Sequence, residues 1–187
     1  MTTLIPRRTF FSNPDHINVR VSPCGTYIAY IAPVDDVLNI WVAPRENMTK
    51  AQPLSFDKGR GIRSFTWAHT GQHVLYTQDK DGDENWRLYC LNVTDKSIQD
   101  LTPYENVQAR IEALSPKFPQ EAIVSLNKRN PEYFDLYRIN LITGDSIQIY
   151  ENDTFAGFML DDSFDLRFGF IMQSDGGNLI QQRVAQE

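Results

Sequence analysis

The sequence predicts an all-β fold: a partial β-propeller of about four antiparallel, four-stranded blades, the last of them incomplete. Three observations predict it. The apolar runs are short, rich in Ile, Val, Leu, Phe, Tyr and Trp, and bounded by turn residues, which marks strands. One unit of this pattern recurs every 46–48 residues. No segment of useful length shows the 3.6-residue periodicity of a helix, so helical repeats of similar length are set aside. Four-strand units at this period are the mark of a propeller.

The unit is clearest from Arg60 to Asn92, where an apolar run, a Gly turn, a second run, an acidic loop and a third run follow one another. Ile28, Ala29 and Tyr30 match Val74, Leu75 and Tyr76 at an offset of 46, and Gly25 matches Gly71 likewise. Ile40, Leu88 and Leu136 are spaced by 48, followed by Trp41, Tyr89 and Tyr137. Leu54, Leu101 and Ile149 close the units at spacings of 47 and 48, and Leu114 and Leu160 differ by 46.

Residues 1–16 form a lead-in that Pro6, Asn13 and Pro14 break, so no regular element is predicted there. Phe10 and Phe11 are its apolar anchor, expected to dock on the first blade. Residues 17–187 are the propeller. Blade one (17–56) has strands near 17–21, 26–32, 38–43 and 51–56. Its Tyr27–Ile31 run is apolar on both alternating faces, as in strands packed between blades. Blade two (62–101) uses 62–67, 73–78, 86–92 and 97–101. Blade three (109–150) uses 109–114, 121–126, 134–140 and 146–150. Blade four (155–187) shows three strands, near 155–160, 166–172 and 178–183. Closure of a ring removes strand edges. A three-stranded last unit therefore favours a piece of a larger ring, and exposed edges predict self-association, as a dimer through the end blades.

Composition excludes several classes. The 187 residues suffice for one domain with a substantial core. Lys and Arg number 18 against 24 Asp and Glu, a net charge of −6, and the cations are scattered. Phosphate neutralisation needs clustered cations, so no nucleic-acid partner is expected. No apolar run approaches the ~20 residues of a membrane span. Arg7-Arg8 lacks the apolar stretch of an export signal, because Ser12 to Asn18 is polar. Asn47, Asn92 and Asn152 fit the glycosylation pattern only by chance without such a signal. Cys24 and Cys90 make no disulfide framework and are read as thiols, which fits a cytoplasmic location.

Few motifs carry chemistry. Ser22-Pro-Cys-Gly25, Trp67-Ala-His-Thr-Gly71 and Leu114-Ser-Pro-Lys117 are tight inter-strand turns, with His69 a surface group in one of them. Asp79-Lys-Asp-Gly-Asp-Glu-Asn85 is the most charged stretch. Its sixth position is Glu84 and its twelfth Cys90, so the EF-hand pattern fails. A looser oxygen-ligand site, a solvated hairpin loop bent at Asp81-Gly82, and an acidic contact to a partner domain or substrate amine all stand. In the last, Asp81, Asp83, Glu84 and Asn85 are the contact residues, with Glu84 foremost. Arg60 and Arg63 either pair with this loop or face a central channel. No Gly-x-Ser-x-Gly elbow is present, since Ser146 and Ser174 each lack one flanking Gly. There is no zinc spacing and no phosphate loop. The chain itself is expected to carry no catalytic residue, cofactor or metal.

Leu4–Pro14 with Val21–Tyr30, Gly59–Trp67, Gln78–Tyr89 and Leu101-Thr-Pro103 together resemble the prolyl oligopeptidase family, in its acylaminoacyl peptidase and dipeptidyl aminopeptidase branch. The Asp-Lys-Asp-Gly-Asp-Glu-Asn-Trp run is the most specific part. The resemblance covers most of the chain and is clearest before Phe155. Cys24 stands where the family usually has Asp. The resemblance implies a serine peptidase whose N-terminal propeller covers a C-terminal α/β-hydrolase domain carrying Ser, Asp and His, and gates the entry of short peptides. That hydrolase domain is not in this sequence. The Ser-Pro-x-Gly turn also occurs in periplasmic TolB-like propellers, so a stand-alone module that binds a protein partner is the alternative.

Overall fold

The computed structural model describes residues 4–12 and 14–182. These form two compact units, Met1–Phe65 and Thr66–Glu187. Among the described residues, fifteen strands arranged as four antiparallel sheets carry the fold, which bears out the partial propeller.

The first unit opens with helix α1 (Arg7–Phe11), where the sequence predicted no regular element. Pro6 explains the difference. Its fixed φ suits the start of a helix, and its carbonyl accepts from Thr9 N at 3.0 Å. Phe10 and Phe11 are 66% and 79% exposed, so the expected anchor is not buried. Strands β1 (Ile17–Val21), β2 (Tyr27–Val34), β3 (Val37–Pro44) and β4 (Gln52–Pro53) follow in spatial order β1-β2-β3-β4. Asp35 and Asp36, both at positive φ, turn β2 into β3. Short acidic side chains tolerate that region, and the primed turn matches strand twist.

The fourth strand is shorter than the expected 51–56 because side chains replace the ladder beyond Leu54, whose N still donates to Ile40 O at 2.8 Å. Ser55 Oγ accepts from Ile40 N at 2.8 Å and donates to Asn39 Oδ1 at 2.9 Å. Asn39 Oδ1 also accepts from Asp57 N at 2.7 Å. Asp57 Oδ2 then accepts from Gly61 N at 2.6 Å. Gly61 has φ +76°, and a Cβ there would lie 3.0 Å from the Leu38 backbone. Ile62 N donates to Leu38 O at 2.8 Å, which ties this segment to the first sheet. The strand expected at 62–67 is accordingly reduced to its last two residues.

In the second unit, β5 (Thr66–Trp67), β6 (His73–Gln78), β7 (Arg87–Asn92) and β8 (Ile98–Asp100) form one sheet in that order. The next comprises β9 (Ala109–Leu114), β10 (Glu121–Leu126), β11 (Asp135–Asn140) and β12 (Ser146–Tyr150). The last has β13 (Gly157–Leu160), β14 (Leu166–Met172) and β15 (Asn178–Gln182), and Arg183 of the expected strand lies outside the described residues. Leu75, Leu88, Cys90 and Leu101 of the first sheet pack on Val124, Leu126 and Ile139 of the second. Ile123 and Leu136 of the second pack on Phe164 and Leu166 of the third. Burial of such side chains contributes roughly 1.5–3 kcal/mol each.

The repeat reaches individual hydrogen bonds. Thr102 Oγ1 accepts from Leu88 N at 2.8 Å, as Ser55 does from Ile40. The inter-strand turn recurs four times, with donation from Gly25 to Ser22, Gly71 to Ala68, Phe118 to Ser115 and Phe164 to Asp161. One expected equivalence fails. Ile149 is 42% exposed, unlike buried Leu54 and Leu101. A bulge between Leu136 and Tyr137 shifts the register, so Leu136 pairs with Tyr150 instead.

Candidate functional site

The most distinctive local chemistry lies in the loop between β6 and β7 and the cleft beside it. Asp81, Gly82 and Glu84 all adopt positive φ, and the loop reverses through them. Asp83 points its carboxylate back into the loop. Its Oδ1 accepts from Lys80 N at 3.2 Å and Asn85 N at 3.1 Å, and its Oδ2 from Asn85 Nδ2 at 3.3 Å. Burial works against its charge, but the bonds from Asn85 and Lys80 and the Arg87 charge outweigh this and hold the carboxyl below its ordinary value. Asp83 and Asn85 are therefore occupied in shaping the loop. Asp81 and Glu84 are exposed.

The loop is fastened to the neighbouring sheet by its main chain. Trp86 O accepts from Ala109 N at 2.7 Å, and Glu84 O from Gln108 Nε2 at 3.2 Å. Gln108 Oε1 in turn accepts from Arg110 Nε at 3.2 Å and Nη2 at 2.8 Å. The Arg110 guanidinium lies 3.8 Å over the Phe134 ring, a stacked cation geometry. A cleft of about 410 Å³ opens here, lined by Thr77, Trp86, Gln108, Ala109, Arg110 and Ile111. An indole and an isoleucine give it an apolar wall, and Arg110 gives it a cation. None of its lining residues is His, Cys, Asp or Glu, so the cleft can hold a group and has no acid, base or activated nucleophile of its own.

Arg60 and Arg63 are exposed and belong to the first compact unit, whereas Asp81, Asp83, Glu84 and Asn85 belong to the second. Arg63 O accepts from Asn18 Nδ2 at 2.9 Å. Among the described residues, no three His, Cys, Asp or Glu side chains are grouped to hold a metal ion. The residues that sequence reasoning missed are Trp86, Gln108 and Arg110. Trp86 stood in the most specific run, directly after the acidic residues. Gln108 and Arg110 carry no local signal, because only the stacking of successive sheets brings them to the loop.

Blade-like sheets stacked in register with the repeat define a class: this is a partial β-propeller. Over 185 residues the sequence is 36% identical to dipeptidyl aminopeptidase BIII of Pseudoxanthomonas mexicana, covering 98% of this chain and 27% of that one. The resemblance read from the sequence is borne out as a likeness: over nearly its whole length the chain is similar to a dipeptidyl aminopeptidase. No family model matches the chain. Among solved structures, the β-propeller domain of the trilobed protease from Pyrococcus furiosus superposes with a TM-score of 0.60 at 17% identity, over 89% of this chain and 54% of that one. TolB from Acinetobacter baumannii superposes with a TM-score of 0.55 at 16% identity, over 89% and 41%. These two likenesses concern the fold alone. The chain spans about a quarter of the length of the curated relatives it matches.

Proposed function

We propose that this chain is the non-catalytic propeller part of a prolyl oligopeptidase-type serine peptidase, and that it gates the access of short peptides to an α/β-hydrolase domain. The observation that carries this reading is the 36% identity to a dipeptidyl aminopeptidase across 98% of the chain. The cleft beside the acidic loop supports it: it offers an apolar wall and a cation for holding a peptide, with no group to cleave one. Asp81 and Glu84 remain available for a substrate amine or for the hydrolase domain, and such a contact strengthens only where water is excluded. Two thiols outside any disulfide support a reducing, cytoplasmic setting. Among the described residues no helix is long and apolar enough to cross a membrane.

The test is an assay of the 187-residue chain on dipeptidyl and acyl-aminoacyl chromogenic substrates. The expected result is no turnover above solvent hydrolysis. Turnover abolished by a serine-directed inhibitor would overturn the reading. The alternative, a stand-alone propeller binding a protein partner, rests on the TolB-like fold alone. Reading the frame downstream separates the two, since continuation into a Gly-x-Ser-x-Gly segment is expected only of the peptidase.

A further inference from the structure

Arg87, Arg129, Arg138 and Arg167 each meet a carboxylate, on Asp100, Asp135, Glu121 and Asp161 in turn. Arg110 is held by neutral groups instead. Gln108 Oε1 accepts from its Nε and Nη2, and the Phe134 ring lies against its guanidinium. Among the described residues, no carboxylate forms an ion pair with it. Glu112 is near enough to feel its charge, but Glu112 Oε1 accepts from the Ser125 hydroxyl. Arg110 is thus an ordered, exposed cation whose charge no ion pair neutralises.

Its supports are themselves fixed. Gln108 N donates to Asn127 Oδ1 at 2.6 Å, and Gln108 Nε2 donates to Glu84 O, so the amide oxygen is left to face Arg110. Phe134 O accepts from Asn152 Nδ2 at 3.1 Å, which holds the stacked residue in place. A guanidinium donates along more than one edge. Gln108 occupies the edge formed by Nε and Nη2. The end edge, Nη1 with the second hydrogen of Nη2, is a fork that matches both oxygens of a carboxylate. A fork held ready in this way lowers the ordering cost of binding. Trp86 and Ile111 line the same cleft and set an apolar wall beside the cation. The walls of the cleft come from two adjacent sheets within one compact unit. Asp81 and Glu84 on the adjoining loop are exposed, where water and salt screen their repulsion of an anion.

We propose that Arg110 receives a carboxylate of a short peptide, with the neighbouring apolar side chain packed on Trp86 and Ile111. The proposal rests on the peptide-gating reading above and names the peptides that this cleft selects. The carboxylate is the peptide's own C-terminus or an acidic side chain, and the experiment separates the two. The 187-residue chain is titrated with acetyl-Gly-Gly-Leu as the free acid, with the same peptide as its C-terminal amide, and with acetyl-Gly-Glu-Leu amide. Nitrogen-15 NMR follows the Arg110 Nε–H and Trp86 indole N–H signals. The expected result is that the free acid, the glutamyl amide or both shift these signals with an affinity roughly 10-fold or more above that of the plain amide. Whichever does so identifies the source of the carboxylate. In Arg110→Gln that advantage should vanish, leaving all three peptides at the level of the plain amide. A plain amide that binds the parent chain as well as both acids would overturn the proposal while leaving the gating reading in place. Absence of any shift with all three peptides would overturn it too. The gating reading fails on a different observation, serine-dependent turnover by the chain. If Arg110→Gln does not fold, which far-UV circular dichroism checks, Arg110→Lys keeps the charge without the fork and must weaken the preference. A lysine variant with the parent's full preference would count against the fork.

Discussion

The Arg129 guanidinium grips the Asp135 carboxylate with two parallel hydrogen bonds, Nε to Oδ2 and Nη2 to Oδ1, both at 3.1 Å. Asp135 is 1% exposed, and its Oδ1 also accepts from Asn152 N at 2.8 Å. Arg129 reaches further, to Asn152 O and Asp153 Oδ1, both at 2.8 Å. One side-chain network thus locks the start of β11 to the segment that leads into the last sheet. Asp135→Ala should cost about 2–3 kcal/mol, because a buried N–H and the cation lose their acceptor together. Urea unfolding of the variant checks this, and Asp135→Asn should recover part of the loss by keeping an acceptor for Asn152.

Glu112 gives a pH signature. Burial pushes its carboxyl above the ordinary value, partly offset by the Ser125 hydroxyl, which donates to Oε1 at 2.6 Å, and by the Arg110 charge. A carboxyl raised in the folded state binds more protons there than in the unfolded state. Its contribution therefore falls as pH rises from the ordinary value through the raised one, and is fully favourable below both. Glu112→Gln removes that dependence. The variant should gain stability relative to the parent at neutral pH, and the gain should vanish below about pH 4.5. Parallel denaturant titrations at acid and neutral pH measure the difference.

The two cysteines should react unequally. Cys90 is buried inside β7, and burial pushes its thiol up to about 12. Cys24 is exposed in the first turn, and bonds with Ser22 and then Thr26 lower its thiol despite slight burial. Thiolate is the reactive form. Colorimetric titration of the native chain should count one thiol, and the second should appear only on unfolding.

The Phe155 ring lies over the buried Gly169, where an added Cβ would overlap it. Phe155 is also stacked at 6.4 Å from Tyr150 and edge-on at 6.2 Å from Phe158. Gly169→Ala must displace this aromatic group and should cost about 1–3 kcal/mol. Thermal unfolding, followed by near-UV circular dichroism of the aromatics, checks both the loss and its location.

These residues also show which parts of the fold could be read from the chain. Strand runs such as Glu121–Leu126 and Leu166–Met172 were predicted to the residue, because turn residues bound them and their apolar content is unambiguous. The short outer strand β4 was overestimated. Nothing local tells that Ser55 takes over the ladder, since the bond that does so, from Ile40 N to its Oγ, joins residues 15 positions apart. The Ile149 equivalence failed for a related reason: a bulge moves register without altering composition. At the site, the acidic loop was visible as charge, but its inward use of Asp83 depends on backbone turns at Asp81 and Glu84. Arg110 was invisible as a site residue because its place beside the loop is set by sheet stacking.

The central claim is that one sheet unit is copied along the chain at 46–48 residues, and hydrogen exchange read residue by residue tests it most directly. Slow exchange should recur in four blocks, at β2–β3, β6–β7, β10–β11 and β14, with fast exchange at 57–61 between the first two blocks and in the loop 79–85 that joins the two strands of the second. Protection in one uninterrupted block, or in blocks whose spacing ignores that period, would contradict it.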